Sequence, residues 1–234
     1  MNEDLMGDGQ PPPSLSVPCL AWRRGEMSAS VRAVPEETAI AFTFNGTTHA
    51  VMMATPGDFE DFAVGFALTE GLIESSSEIA SLDVVATPLG IELRIWLPEA
   101  RAKSYAARRR SMAGPTGCGL CGIESLEEAT RPAPVVSNAS RFDSGAIVEA
   151  MASLSAEQKL NSQTRAVHAA GFWTPARGLV AVREDVGRHN ALDKLIGALA
   201  RGGDVAAHGI VLLTSRVSIE LIQKAARLGA PVVA

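Results

Sequence analysis

Gly209-Ile210-Val211-Leu212-Leu213-Thr214 is an unbroken apolar run, as expected of a strand covered on both faces. Ser215 or Ser218 then opens a helical stretch through Leu228, Gly229 closes it, and Pro231-Val232-Val233-Ala234 begins another strand. Strand, helix and strand make a β-α-β unit, which should cross over right-handed and sets the class as α/β. Ala234 falls inside the second strand, so further sequence beyond it is expected.

Working back along the chain, Leu179 to Val182 is a short apolar strand that runs into Arg183-Glu184-Asp185-Val186-Gly187-Arg188-His189-Asn190-Ala191-Leu192-Asp193-Lys194. Asp185 reads as the N-cap of a helix on which His189 and Asp193 lie four apart on one face, with Arg188 and Leu192 on the neighbouring stripe. A charged first turn directly after a strand is where open α/β sheets place ligands. Asp185, Arg188 and His189 are therefore candidate binding residues, against the competing reading of a surface helix with ion pairs. Earlier still, Asp143 or Ser144 caps a helix carrying Ile147, Val148, Met151 and Leu154. Arg131-Pro132-Ala133-Pro134 reads as a linker into this second region.

The first half is richer in β-structure. Residues 1 to 18, with Pro11-Pro12-Pro13 and little to bury, read as a disordered leader. Ile40, Phe42 and Phe44 alternate with smaller residues, Asn45-Gly46 supplies a two-residue hairpin turn, and Thr48 to Met53 is the return strand. Thr55-Pro56-Gly57-Asp58 announces a helix, with Thr55 as cap and Pro56 at its first position. Phe59, Phe62, Ala63, Phe66 and Ala67 repeat at helical spacing and are read as core, and Gly71 stops the helix. Val84-Val85 and Ile91 to Leu97 are two more strands, turned by Pro88-Leu89-Gly90. His49, alone on a strand, is read as structural.

Between the halves stands Thr116-Gly117-Cys118-Gly119-Leu120-Cys121-Gly122. Glycines around both thiols leave the backbone free and the sulfurs uncrowded. A basic run precedes it (Arg101, Lys103, Arg108, Arg109, Arg110), and Glu124 to Glu128 reads as the first turn of a short helix. Cations and a helix N-terminus both favour the reactive thiolate. A zinc deaminase would need His-x-Glu ahead of Pro-Cys-x-x-Cys; no histidine here is followed two residues later by glutamate, and that activity is rejected. A structural zinc would need two further ligands. A thioredoxin-like pair belongs at the start of a β-α-β unit, not behind an arginine-rich segment. Those two readings and a purely structural loop compete with the one favoured here. That reading is sulfur handling, in which an electropositive thiolate attacks a persulfide, holds its outer sulfur and passes it on.

With 234 residues, 47% apolar and 20% charged, the chain has room for one large domain or two small ones. A net charge of −5 argues against general nucleic-acid binding. Three cysteines make no disulfide framework. No run of ~18 apolar residues offers a membrane span, and no signal pattern opens the chain. The expected location is the cytoplasm.

From about Pro35 to Ala234 the chain resembles the formate dehydrogenase accessory sulfurtransferases, the FdhD/NarQ family. The likeness rests on Asn45-Gly46, Thr55-Pro56, Asp61-Phe62-Ala63-Val64-Gly65-Phe66, Thr69-Glu70-Gly71, the cysteine loop, Arg183 to His189, Ser215-Arg216 and Gln223-Lys224-Ala225-Ala226, in that order. The resemblance implies a carrier that takes sulfur from a cysteine desulfurase. The sulfur goes to a molybdenum bis(pterin guanine dinucleotide) cofactor, bound as substrate and destined for formate dehydrogenase. Cys118 would carry the persulfide and Cys121 would be the auxiliary thiol. Arg109, Arg110, His168, Asp185, Arg188 and His189 would meet the cofactor, and no resident metal is expected. A cofactor-holding chaperone without sulfur transfer is the alternative.

It also implies a homodimer and a deaminase-like fold for the later region, which with the leader and linker read from composition gives a domain plan. A leader (1–18) would precede an N-terminal α+β region ending in the cysteine loop (19–130). A cytidine-deaminase-like α/β domain, incomplete at its C-terminus, would follow (131–234). Where the family has Thr-Gly, small residues and then His, this chain has Thr164-Arg165-Ala166-Val167-His168. Arginine in a glycine-type backbone conformation carries strain.

Overall fold

A computed structural model describes residues 10–99, 101, 132–137 and 140–234. The chain begins with a hairpin of β1 (Ser14–Arg23) and β2 (Glu26–Pro35). Here the expected leader is corrected, because Ser14 to Pro18 form half of a ten-residue strand paired with Val31 to Pro35. The proline-rich composition concealed a period-2 pattern in which Leu15, Val17 and Cys19 share one face.

Strands β3 (Thr38–Phe44) and β4 (Thr47–Ala54) form the second hairpin, turned by Asn45 and Gly46 at φ 48° and 77°. Both central residues are left-handed, as a turn that follows strand twist requires. Strands β5 (Ser81–Thr87) and β6 (Gly90–Trp96) complete a sheet of order β4-β3-β6-β5, with β3 and β6 parallel. Helix α1 (Phe59–Thr69) packs on it, and Phe42 meets Phe62 edge-on and stacks on Phe66, with ring centroids 4.9 and 4.1 Å apart. His49 lies between Phe44 and Phe66, in keeping with a structural role.

The second sheet has the order β10-β9-β7-β8, from β7 (His168–Thr174), β8 (Gly178–Asp185), β9 (Ile210–Leu213) and β10 (Val232–Val233). Strands β9 and β10 are parallel across helix α5 (Ile219–Leu228), so the β-α-β unit is present. All four residues of β9 are buried. Val211 and Leu213 face helix α4 (Arg188–Gly202), whereas Ile210 and Leu212 face helix α2 (Ser144–Glu157), which Asp143 caps through the Ala146 N–H. A short helix α3 (Lys159–Thr164) follows, closed by Arg165 at φ 56°. Arginine thus does adopt the left-handed conformation that glycine takes without cost, at roughly 1 kcal/mol.

Each sheet has its own core, and helices α1 and α4 lie back to back between them. They touch at Gly65 and Gly197. A β-carbon on Gly65 would sit 1.7 Å from the Asp193 carbonyl oxygen, and one on Gly197 would sit 1.8 Å from that of Asp61. No side chain fits between these backbones. The expected domain boundary at 130/131 lies outside the described residues.

Candidate functional site

The strands deliver several loops to one edge of the second sheet. Strands β8 and β9 end there, β7 begins there, and both α4 and α5 start there. Two helix N-termini, each carrying a partial positive charge, therefore face the same end of the sheet, which is where open α/β sheets hold ligands.

Asp185 is corrected from N-cap to last residue of β8; Gly187 is the N-cap of α4. The carboxylate is fully buried and works as a hub. Oδ1 accepts from the Gly187 N–H at 2.8 Å and from Asn190 Nδ2 at 2.9 Å. Oδ2 accepts from the Thr55 N–H at 3.1 Å and pairs with Lys194 Nζ at 2.7 Å. Lys194, equally buried, also donates to the Thr55 carbonyl at 2.7 Å. Thr55 is not the cap of α1, which starts at Phe59 behind a left-handed Asp58. Its hydroxyl instead accepts from the Val186 N–H at 3.1 Å. The loop after β4 is thereby stitched to the turn between β8 and α4.

A second buried pair backs the first. Lys224 of α5 donates to both Asp193 oxygens at 2.8 Å and to the Thr69 hydroxyl at 3.0 Å, joining α1, α4 and α5. Burial opposes the Lys224 charge, but Asp193 and Glu70 outweigh it and hold its pKa above the usual range. On the neighbouring face of α1, Asp61 receives Arg183 at 2.6 Å and Arg201 at 2.5 Å.

Arg188 and His189 occupy the first turn of α4, in front of these pairs. Arg188 Nε and His189 Nε2 are shielded from water and have no hydrogen-bond partner among the described residues. Buried nitrogens left this way are uncommon and call for an explanation; an anionic group at this sheet end would satisfy the Arg188 donor directly. Burial, with Arg188 and Lys224 nearby, lowers the His189 pKa to about 4. Burial and Arg188 also lower that of His168, which pairs across β7 and β8 with Asp185. Glu220, in the first turn of α5, lies within electrostatic reach of His189 and Arg188. The edge thus combines the Arg188 cation, two imidazoles whose pKa values are lowered and two helix N-termini.

The depressed His189 value sets a pH dependence. Its folded pKa lies below the ordinary 6.5, so the unfolded chain takes up the proton first. Stability is full above about 6.5 and falls as pH drops toward about 4, where the folded form also protonates. In a histidine-resolved NMR titration the His189 ring is expected to stay neutral down to about pH 4. A midpoint near 6.5 would show it to be solvated.

Of the residues expected to form the site, the structure brings His168, Asp185, Arg188 and His189 to this one edge, with Asp185 acting from below as a support. Cys118, Cys121, Arg109 and Arg110 lie outside the described residues. Arg101, at the start of the basic run, pairs with Glu74 at 3.3 Å and more closely with Glu78. The sequence reading assigned no role to Lys194, Asn190 or Glu220, and none to Thr69 and Lys224 beyond their place in family motifs. The readable signal was Asp193-Lys194 set inside the apolar run Leu192, Leu195, Ile196 and Leu199, since charges there need buried partners.

The sequence profile of the FdhD/NarQ family matches residues 35–234. The sulfur carrier protein FdhD of Agrobacterium fabrum is 54% identical over 215 residues, covering 92% of this chain and 79% of that one. FdhD of Cupriavidus necator is 47% identical over 230 residues, covering 97% and 79%. A crystal structure from Desulfotalea psychrophila, described as a formate dehydrogenase accessory protein, superposes with a TM-score of 0.70 at 25% identity, over 95% of this chain and 83% of that one. A mixed α/β fold, an ordered series of motifs and this breadth of identity agree that the chain belongs to the FdhD/NarQ family.

Proposed function

We propose that this protein is a sulfur carrier that serves formate dehydrogenase. What carries the reading is the family match across residues 35–234, a span that contains the Cys118-x-x-Cys121 pair, together with relatives named sulfur carriers. The Cys118 thiolate attacks the outer sulfur of a persulfide on a cysteine desulfurase. A sulfur–sulfur bond forms at Cys118, the donor's sulfur–sulfur bond breaks, and the donor leaves as a thiolate. The outer sulfur keeps its oxidation state, so this transfer needs no oxidant. Cys121 is the auxiliary thiol, and Arg109 and Arg110 favour the thiolate of Cys118.

The acceptor in this reading is a molybdenum bis(pterin guanine dinucleotide), held as substrate. Its diphosphates suit the sheet end with two helix N-termini, where Arg188 offers an unpaired buried donor. The cytoplasm and a homodimeric state belong to the same proposal. The cofactor-holding chaperone, without sulfur chemistry, is the reading to beat.

Incubation with a cysteine desulfurase and cysteine, followed by intact mass spectrometry, tests the proposal. One reductant-sensitive addition of about one sulfur mass (~32 Da) is expected on wild type and not on Cys118→Ala. A folded wild-type protein that gains no sulfur, yet still binds a guanine nucleotide, would favour the chaperone.

A further inference from the structure

His189 and Glu220 stand one turn above a pair that already joins their helices. Asp193 of α4 and Lys224 of α5 meet at 2.8 Å, and they lie four residues beyond His189 and Glu220 respectively. In two helices that start at the same sheet end, this spacing stacks His189 over Asp193 and Glu220 over Lys224. The lower pair is formed and the upper one is not. His189 Nε2 and Glu220 Oε2 are both shielded from water, and neither has a hydrogen-bond partner among the described residues. A carboxylate close to an imidazole ordinarily draws a proton onto the ring. Here burial disfavours the imidazolium, and Arg188 beside it and Lys224 below it add positive field. Glu220 and Glu70, the residue after α1, oppose them without prevailing. His168 and Asp185 complete the titratable groups around this turn. The result is a place for a proton that two cations keep empty.

We propose that His189 takes up a proton from solvent when a diphosphate binds at this sheet end, so that ligand and proton enter together. The diphosphate pairs with Arg188, whose Nε lacks a partner, and so neutralises the nearest cation that holds the ring uncharged. It also brings negative charge of its own, and an opposite charge within about 4–6 Å moves a pKa by roughly 1–3 units. Lys224 stays paired with Asp193, so its field on the ring is unchanged. Only an N–H bond forms, and no electrons move. The imidazolium then faces the ligand on one side and Glu220 on the other, which gives the bound anion a second cation that the empty site does not hold. The inference rests on the reading of this sheet end as a diphosphate site and adds how binding there depends on pH.

Isothermal titration calorimetry with diguanosine diphosphate tests it, because the diester phosphates of this probe do not titrate near neutrality. The His189 midpoint is expected to move up from about 4 by roughly two pH units when the probe binds. Titrations at pH 5.5 in MES and in Bis-Tris, whose ionisation enthalpies differ, should then show uptake of roughly 0.7 proton per site. Affinity should be about four-fold tighter at pH 5.5 than at pH 7.5. A folded His189→Gln protein should bind with no proton uptake and with the same affinity at both pH values. A histidine-resolved NMR titration of wild type, with and without the probe, reads the shift directly and does not depend on the variant folding. Binding without proton uptake would overturn the inference and leave the diphosphate site standing. Uptake that persists in His189→Gln would put the proton on another group and overturn it too. A wild-type protein that binds no probe at either pH would overturn the diphosphate reading, and the inference with it.

Discussion

Gly197→Ala is expected to destabilise the protein by about 3 kcal/mol, and Gly197→Val to leave no folded protein. Exposed helical glycine behaves oppositely, since alanine there gains roughly 1 kcal/mol in helix propensity. The sign reverses here because a β-carbon would come within 1.8 Å of the Asp61 carbonyl oxygen, and that atom belongs to backbone. No rotamer change relieves such a contact. The helices must separate by more than an ångström, and that movement spreads. Asp61 also anchors Arg183 and Arg201, and Thr69 lies 2.8 Å from Asp193 one turn further along. Gly65→Ala should act similarly, through the 1.7 Å contact with the Asp193 carbonyl. Combining the two should cost less than the sum, because one separation of α1 from α4 accommodates both methyl groups. Urea denaturation followed by circular dichroism supplies the measurement. An alanine variant with a midpoint at or above wild type would mean that the helices do not cross at this point.

How much of this was legible beforehand follows from the range of the interactions. The alternation of Ile40, Phe42 and Phe44, the Asn45-Gly46 turn and the continuous run of β9 are local patterns, and each became the element expected. Caps were less readable. Thr55-Pro56 and Asp185 both look like helix starts, yet each serves the other: the Thr55 N–H donates to Asp185 and the Thr55 hydroxyl accepts from Val186, 131 residues away. A polar residue before a helical stretch satisfies a local donor or a distant one equally well, and only the packing of α1 on α4 decides. The same holds for Gly65, which reads as a helix-weakening residue until its partner is known. The β1 strand was hidden for a different reason. Apolar residues stand on both of its faces, Leu15, Val17 and Cys19 on one and Pro18, Leu20 and Trp22 on the other, so it lacks the apolar-in, polar-out pattern of a half-buried strand. At the site, Arg188 and His189 were legible as a charged first turn after a strand, and Asp193-Lys194 as charges in need of buried partners, while the residues that complete those pairs were not.

Those pairs set the second large expectation, a loss of about 3–5 kcal/mol for Lys194→Met. Methionine fills nearly the same volume, so little cavity forms, and the cost is electrostatic. Lys194 is 1% exposed and Asp185 not at all; without the ammonium, a carboxylate stays buried with only amide donors from Thr55, Gly187 and Asn190. Neutralising the carboxylate as well should recover part of the loss. Asp185→Asn/Lys194→Met is expected to be more stable than the sum of the single effects by at least ~1 kcal/mol. The replacement amide oxygen still accepts from a backbone N–H, but its NH₂ meets N–H donors where the second carboxylate oxygen accepted, so recovery should be incomplete. A Lys194→Met protein within ~1 kcal/mol of wild type would mean that the pair is not formed in solution. The consequence for function follows from position, because Asp185 and Asn190 fix the turn that presents Arg188 and His189. Sulfur uptake at Cys118 should survive in any Lys194→Met protein that remains folded at low temperature, whereas guanine-nucleotide binding should weaken. Loss of both together would place the cysteine chemistry and the sheet end in one unit that folds or fails as a whole.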